Sequence, residues 1–364
     1  MFLNTISLRN FHNIGEAEVT FSPKINCITG NNGAGKTNLL DAVYYLSMTK
    51  SFFSQSDQYV LKFGSDETTL CGVYRMDSGT EEKISVCVRK GGEKTVRRGA
   101  KNYTRFSEHI GLLPVVMVSP TDSALINDSG DERRKYMNFI LSQVDRQYLS
   151  HIQAYNQLLL HRNRLLKEES GQSLLLDTIT ERMSPHASYV FEKRKSLCRE
   201  LLPMVQNYYG RLCSDAETVS LEYRSDLDGT SMEELAQREA DKERALRYTT
   251  AGIQRDDITF SLGEHPIRRC GSQGQQKSFL LAMKLAQYLF IKRIYRQTPV
   301  LLLDDVFDKL DTGRVERLLD IVSSPDFGQI FISDCNTVRL EASARKLDAD
   351  FRSFKVENGK ITQS

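Results

Sequence analysis

The spacing of apolar residues changes character several times along the chain, and each change predicts a different kind of element. Leu8, Asn10 and Phe11 close a first strand, and Ala17-Glu18-Val19-Thr20-Phe21 alternates as a second, broken by Pro23. Ile25-Asn26-Cys27-Ile28-Thr29 is short and apolar enough for a buried strand, and Leu39 to Leu46 reads as a helix. From Thr69 to Thr95 the period is two throughout: Leu70, Gly72 and Tyr74 alternate with Cys71, Val73 and Arg75. Ile84, Val86 and Val88 follow in the same way, and Gly91-Gly92 supplies a turn. That pattern predicts antiparallel sheet, not a second βαβ unit. Val115-Val116-Met117-Val118 is a further buried strand, stopped at Ser119-Pro120.

Beyond Thr121 the period becomes helical. Ser129-Gly130-Asp131-Glu132 has the form of a capping box. Behind it Tyr136, Phe139, Ile140, Val144, Tyr148, Ile152, Tyr155 and Leu159 predict one long amphipathic helix. A second helical region covers Leu174 to Tyr209, with Pro185 and Pro203 as kinks or ends. Ser231-Met232-Glu233-Glu234 opens a third with another capping box. Sheet returns at Asp257 to Leu262. A helix follows through Phe279, Leu280, Met283, Leu285, Ala286, Leu289 and Phe290, then the apolar run Val300-Leu301-Leu302-Leu303 ending in Asp304-Asp305. Arg314 to Val322 is helical, Gln329 to Asp334 is a strand, and Asn358-Gly359 marks a terminal hairpin. The expected organisation is an α/β lobe from residues 1–120 and 247–364, with a mainly helical lobe, 121–246, inserted into it. Sustained heptads for a long coiled-coil arm are absent.

Composition narrows the class without naming a chemistry. At 364 residues, 40% hydrophobic and 26% charged, the chain can bury real cores. No apolar run suits a bilayer crossing, and Met1 to Arg9 lacks a secretory pattern, so a cytoplasmic location is expected. The seven cysteines include no C-x-x-C pair, which argues against a zinc site or a disulfide framework. A net charge of +2 means that nucleic acid, if bound, is met by local basic patches. Candidates are Arg97-Arg98 with Lys101, Arg133-Arg134-Lys135, and Lys193-Arg194-Lys195, each of which singly suits an ordinary solvated face.

The strongest chemical signal is Gly30-Asn31-Asn32-Gly33-Ala34-Gly35-Lys36-Thr37, set between the buried strand and a helix. Glycines let successive N–H groups turn inward around a phosphate, and the helix N-terminus adds partial positive charge. Lys36 is placed to reach the β- and γ-phosphates and Thr37 to ligate Mg²⁺. Such a loop needs an acid, and Asp304 at the end of an apolar strand is the expected second metal ligand. Asp305, the next residue, is the candidate to orient or deprotonate an attacking water. Ser272-Gln273-Gly274-Gln275, just upstream of that strand, offers a hydroxyl, a bare backbone and a helix N-terminus to a γ-phosphate.

Phosphate loop, S-x-G-Q signature, apolar strand ending Asp-Asp and the following Asp308-Lys309-Leu310-Asp311 together resemble the ATP-binding-cassette heads of the SMC and DNA-repair class. Asn10-Phe11-His12-Asn13, Lys50-Ser51-Phe52, Val118 to Asp122, Asp131 to Tyr136, Gly252 to Asp257, Ser272 to Lys277 and Leu303 to Phe307 are similar to the motif series of the RecF family of bacterial recombination mediators. His12, Thr121 and Gln254 depart from that series, and Asp334 stands where transporter cassettes carry a histidine. The resemblance implies an ABC-type P-loop ATPase head with mixed β-sheets, holding ATP and Mg²⁺. It implies an ATP-dependent homodimer in which Ser272, Gly274 and Gln275 of one copy complete the site of the other, with Asp311 at the interface. It further implies slow, DNA-stimulated hydrolysis, binding to gapped duplex and single-strand–duplex junctions, and RecR- and RecO-like partners. The alternative is a cassette ATPase coupled to a nuclease or transporter. A nuclease would need a further domain, and the roughly thirty residues after Asp334 are too few for one.

Overall fold

In the computed structural model, which describes residues 1–168, 173–213, 217–308, 310–336 and 350–364, the chain passes through two compact units and returns to the first. The elements in order are β1 (Phe2–Phe11), β2 (Ile14–Thr20), β3 (Ile25–Thr29), α1 (Lys36–Met48), β4 (Glu67–Arg75), β5 (Glu81–Arg89), β6 (Lys94–Arg98), β7 (Lys101–Asn102) and β8 (Val115–Val118). Then come α2 (Ala124–Asn127), α3 (Gly130–Val144), α4 (Arg146–Lys167), α5 (Ser173–Cys213), β9 (Val219–Arg224), α6 (Met232–Leu246), β10 (Asp257–Leu262), β11 (His265–Pro266), α7 (Ile267–Cys270) and α8 (Gln273–Tyr295). The chain closes with β12 (Val300–Asp304), α9 (Thr312–Ser323), β13 (Ile330–Asp334), β14 (Phe351–Glu357) and β15 (Lys360–Gln363).

The first unit, Met1–Asp122, Arg211–Cys213 and Lys284–Ser364, holds two sheets. One has the order β2-β1-β4-β5-β6-β7 and is antiparallel, as the period-two pattern requires. Both glycines of the predicted β5–β6 turn have positive φ, 103° and 92°. The other sheet has the order β15-β14-β3-β13-β12-β8, with parallel pairing from β14 through β8 and an antiparallel hairpin at the β15 edge. Every residue of β3, β8, β12 and β13 is buried, which explains why these strands read as continuous apolar runs.

The second unit, Ser123–Gly210 and Ser214–Met283, is helical around a three-stranded antiparallel sheet, β11-β10-β9. Its boundary does not coincide with the sequence expectation of 246/247: it runs on to Met283, so β10, β11 and the Ser272 segment lie in it. The alternating strand β9, paired with β10, also lies within the stretch expected to be helical.

Two local expectations are corrected, and of the two roles expected for Pro185 and Pro203, kinks or ends, the second is excluded. The predicted helix from 136 to 159 is two helices, because Asp145 adopts an extended conformation (φ −138°, ψ 105°). Its carboxylate caps α4 by accepting from the Gln147 and Tyr148 N–H groups. Ser129 N-caps α3 without a side-chain bond to the backbone. Its hydroxyl turns to Asp131 and Glu132 pairs with Lys135, so no capping box forms there. Pro185 and Pro203 sit inside α5 and neither ends it. The box at Ser231 and Glu234 is present in both directions. Among the described residues no helix is long and apolar enough to cross a membrane.

Candidate nucleotide site

The phosphate loop joins β3 to α1 as the motif requires. Gly30, Gly33 and Gly35 take φ values of 149°, 77° and 119°, outside the range that most side chains tolerate. Space excludes a side chain as well: a Cβ on Gly30 would lie 2.3 Å from the Val356 carbonyl oxygen, and one on Gly35 would strike the Asn13 carboxamide. Two groups outside the loop motif itself hold the far side of the loop. Asn13 Nδ2 and the Gly359 N–H both donate to the Ala34 carbonyl, at 3.0 and 2.9 Å. Asn13 also accepts from Asn38 Nδ2 at 2.8 Å. The only advance signal for Gly359 was the Asn-Gly turn, realised with positive φ at both residues, 49° and 77°.

Lys36 opens α1 and is buried, and its ammonium donates to the Gly30 and Asn31 carbonyls at 2.9 and 3.3 Å. Thr37 follows it. Its Oγ1 lies 3.1 and 3.0 Å from the two oxygens of Asp304, a residue 267 positions later. Parallel pairing brings the acid there: Asp304 at the end of β12 stands opposite Ser333 on β13, which stands opposite Ile28 near the end of β3, the strand that leads into the loop. Burial pushes the Asp304 carboxyl above its ordinary range. Hydrogen bonds from Ser333 and Thr37 oppose this, the neighbouring Asp305 charge adds to it, and Lys36 pulls it back down. Asp305 is half-buried with φ 46°. Asp334 ends β13, buried, paired in register with Thr29 and accepting from the Asn336 N–H at 2.9 Å.

A buried carboxylate and a hydroxyl facing each other, both hard oxygen donors, fit Mg²⁺, which favours oxygen ligands and retains waters. The structure therefore brings together Lys36, Thr37, Asp304 and Asp305 in the first unit. On α1 behind them, Asp41 is fully buried and accepts from the Ser51 hydroxyl and the Phe52 N–H, both at 2.7 Å, and meets His12 Nε2 at 3.0 Å. This ties the Lys50-Ser51-Phe52 and Asn10-to-Asn13 segments to the helix of the phosphate loop.

Ser272, Gly274 and Gln275 belong to the second unit. Ser272 and Gln275 form a reciprocal capping box: the Gln275 N–H donates to Ser272 Oγ at 3.2 Å, and the Ser272 N–H donates to Gln275 Oε1 at 2.7 Å. The hydroxyl acts there as acceptor, which leaves its own proton to offer. Gln275 Nε2 donates to Glu217. Asp311 N-caps α9 by accepting from the Arg314 N–H, its side chain 61% exposed. Lys309 of the same motif lies outside the described residues.

The basic triplets are corrected in part as candidate DNA surfaces: Arg133, Arg134 and Arg194 are drawn inward, whereas Lys135 and Lys195 stay exposed and Lys193 half-exposed, each in a surface ion pair. Arg194 is buried at 1% and donates to Asp256, Tyr148, Asn138 and the Ile253 carbonyl. Arg133 grips Asp257 with two bonds at 2.6 and 3.0 Å, and Arg134 donates to the Asp256 carbonyl and Asp131. These arginines hold α3 and α5 to the start of β10. Arg98 is paired with Glu82, so exposed Arg97 and Lys101 remain on the β6–β7 edge, Arg97 donating to Asn102.

Comparison with known proteins bears on the family and the fold. The family described as RecF/RecN/SMC N terminal domain matches residues 2–362. The chain is 43% identical over 361 residues to the DNA replication and repair protein RecF of Parabacteroides distasonis, covering 99% of each. It is 41% identical over 364 residues to that of Bacteroides thetaiotaomicron, covering 100% of this chain and 99% of the relative. Among solved structures, the recombination mediator protein RecF-ATP of the RecFOR pathway superposes with a TM-score of 0.89 at 25% identity, over 100% of this chain and 97% of that one. An Smc head bound to the C-winged helix domain of ScpA shares the fold, with a TM-score of 0.59 at 16% identity over 100% of this chain and 98% of that one.

Proposed function

The chain belongs to the RecF family of DNA replication and repair proteins, and from that premise we propose that it is an ATP-dependent DNA-binding protein of recombinational repair. It binds ATP with Mg²⁺, dimerises on the nucleotide, and engages gapped duplex or single-strand–duplex junctions. RecR- and RecO-like proteins are its partners in loading a recombinase. The observation that carries this reading is the meeting of Thr37 with Asp304 across 267 residues of sequence, since an acid at that hydroxyl is what a phosphate loop needs to hold a metal–nucleotide pair.

Each residue has a part in the chemistry. The loop N–H groups from Asn31 to Thr37 bind phosphate oxygens. Lys36 exchanges its bonds to the Gly30 and Asn31 carbonyls for bonds to the β- and γ-phosphates, a short movement of one ammonium. Thr37 and Asp304 would hold Mg²⁺, which would supply positive charge to offset that of the phosphates. Asp305 orients and accepts a proton from the attacking water. Ser272 and Gly274 of a second copy donate their hydroxyl and N–H to the γ-phosphate, so the triphosphate joins two chains. The low net charge leaves DNA to be held by local cations on its phosphates, without base reading.

ATP turnover measured with gapped, blunt and single-stranded DNA tests the reading. Gapped duplex is expected to stimulate turnover several-fold over no DNA, and Asp305→Asn to abolish it. No stimulation together with no ATP-dependent retention on DNA would leave a cassette ATPase of another kind.

A further inference from the structure

At the end of β12 two acids must be held in different ways, and one buried side chain touches both. Ser333 on β13 stands in register with Asp304 on β12, and paired residues of neighbouring strands present their side chains to the same face. Ser333 is completely buried. Its hydroxyl donates to Asp304 Oδ1 at 2.6 Å and accepts from the Asp305 N–H at 3.0 Å. A hydroxyl has one proton and two lone pairs, so these two bonds fix its orientation. The bond to Oδ1 fixes the plane of the Asp304 carboxylate, whose two oxygens face Thr37. The bond from the Asp305 N–H anchors a residue at φ 46°, in the left-handed region that few residues other than glycine, asparagine and aspartate adopt.

We propose that Ser333 is a positioning residue of the nucleotide site, one hydroxyl that sets the Asp304 carboxylate for its metal and the Asp305 backbone for its water. The proposal rests on the phosphate-loop reading above and adds to it a coupling: Asp304 and Asp305 share one hinge, so neither can be reoriented without loading the other. An apolar residue of similar size would leave the Asp305 N–H and a carboxylate oxygen without that partner in a buried place, and both groups would turn to find others. Threonine keeps the hydroxyl and adds a methyl.

The test compares native chain, Ser333→Ala and Ser333→Thr in three measurements. These are affinity for a fluorescent ATP analogue in EDTA, Mn²⁺ affinity by electron paramagnetic resonance with a β,γ-imido ATP analogue, and ATP turnover. The alanine variant is expected to hold nucleotide in EDTA within about twofold of native and to lose about tenfold in Mn²⁺ affinity, the scale usual for a partner of a metal ligand. Its turnover falls with the Mn²⁺ affinity, and threonine restores both. Should the alanine variant be insoluble, Ser333→Cys, a poorer donor of similar size, is expected to show the same Mn²⁺ loss. Native Mn²⁺ affinity and turnover in the alanine variant would overturn the proposal alone. So would a parallel loss of nucleotide binding in EDTA, the mark of a merely structural role. A native chain that binds no Mn²⁺ with the analogue would overturn the phosphate-loop reading, and this proposal with it.

Discussion

His109 is fully buried, its Nε2 donating to the Leu46 carbonyl at 2.7 Å and its Nδ1 accepting from the Tyr103 hydroxyl at 3.3 Å. That arrangement needs the neutral ring, and burial pushes the imidazole pKa below its usual 6.5. The unfolded chain therefore binds a proton, as pH falls through about 6.5, that the folded chain refuses. Stability is expected to be full above that pH and to decline below it, with His109→Gln flattening the decline in urea denaturation midpoints measured from pH 7.5 to 5. At this same scale the sequence was uneven as a guide. Lys36, Thr37, Asp304 and Asp305 were legible because a motif fixes their spacing or an apolar strand points to them. Ser333 was not, since a single serine acquires its part only from strands paired across long sequence distances, and Asn13 was marked only as part of a family motif, not by a chemistry of its own. Arg133 and Arg194 misled for the opposite reason: a basic triplet looks solvated until the fold shows that Asp256 and Asp257 were waiting for it.

Among the elements, capping chemistry decided where helices begin and end. Asp145 separates α3 from α4, and it also accepts from Tyr189 and pairs with Lys193 on α5, both at 2.9 Å or less. Its pKa lies below the usual carboxylate range although burial pulls the other way, because Lys193, the Tyr148 N–H and Tyr189 all favour the charged form. Asp145→Ala is expected to cost about 1–2 kcal/mol. Hydrogen exchange should locate the loss at the first turn of α4, and protection there equal to native would contradict this. The periodicity of Tyr136 to Leu159 carried no sign of the break, since both helices bury residues in nearly the same phase. Strands were legible wherever alternation or a wholly apolar run was present. The exception is β9, whose Val219, Leu221 and Tyr223 alternate correctly but sit in a stretch dominated by helices. At the Ser272–Gln275 box the hydroxyl is an ordinary helix cap, accepting from the Gln275 N–H; in the proposed function the same hydroxyl would also donate to a phosphate.

For the molecule as a whole, the account rests on a division of labour between two compact units of one chain, with the loop and acids in the first and the signature in the second. The sequence expectation placed all of these in one lobe, because it followed the motifs and not the packing of β10, α7 and the start of α8. The central claim is that ATP joins two copies, each giving the other its signature. Sedimentation equilibrium with Mg²⁺–ATP tests it most directly. The native 41.5 kDa chain is expected to double in mass. Lys36→Ala is expected to stay single because it cannot hold the phosphates. Ser272→Arg is expected to stay single while still binding ATP. A native chain that remains at 41.5 kDa at saturating nucleotide, with or without gapped DNA, would contradict the account, as would Ser272→Arg doubling like the native protein.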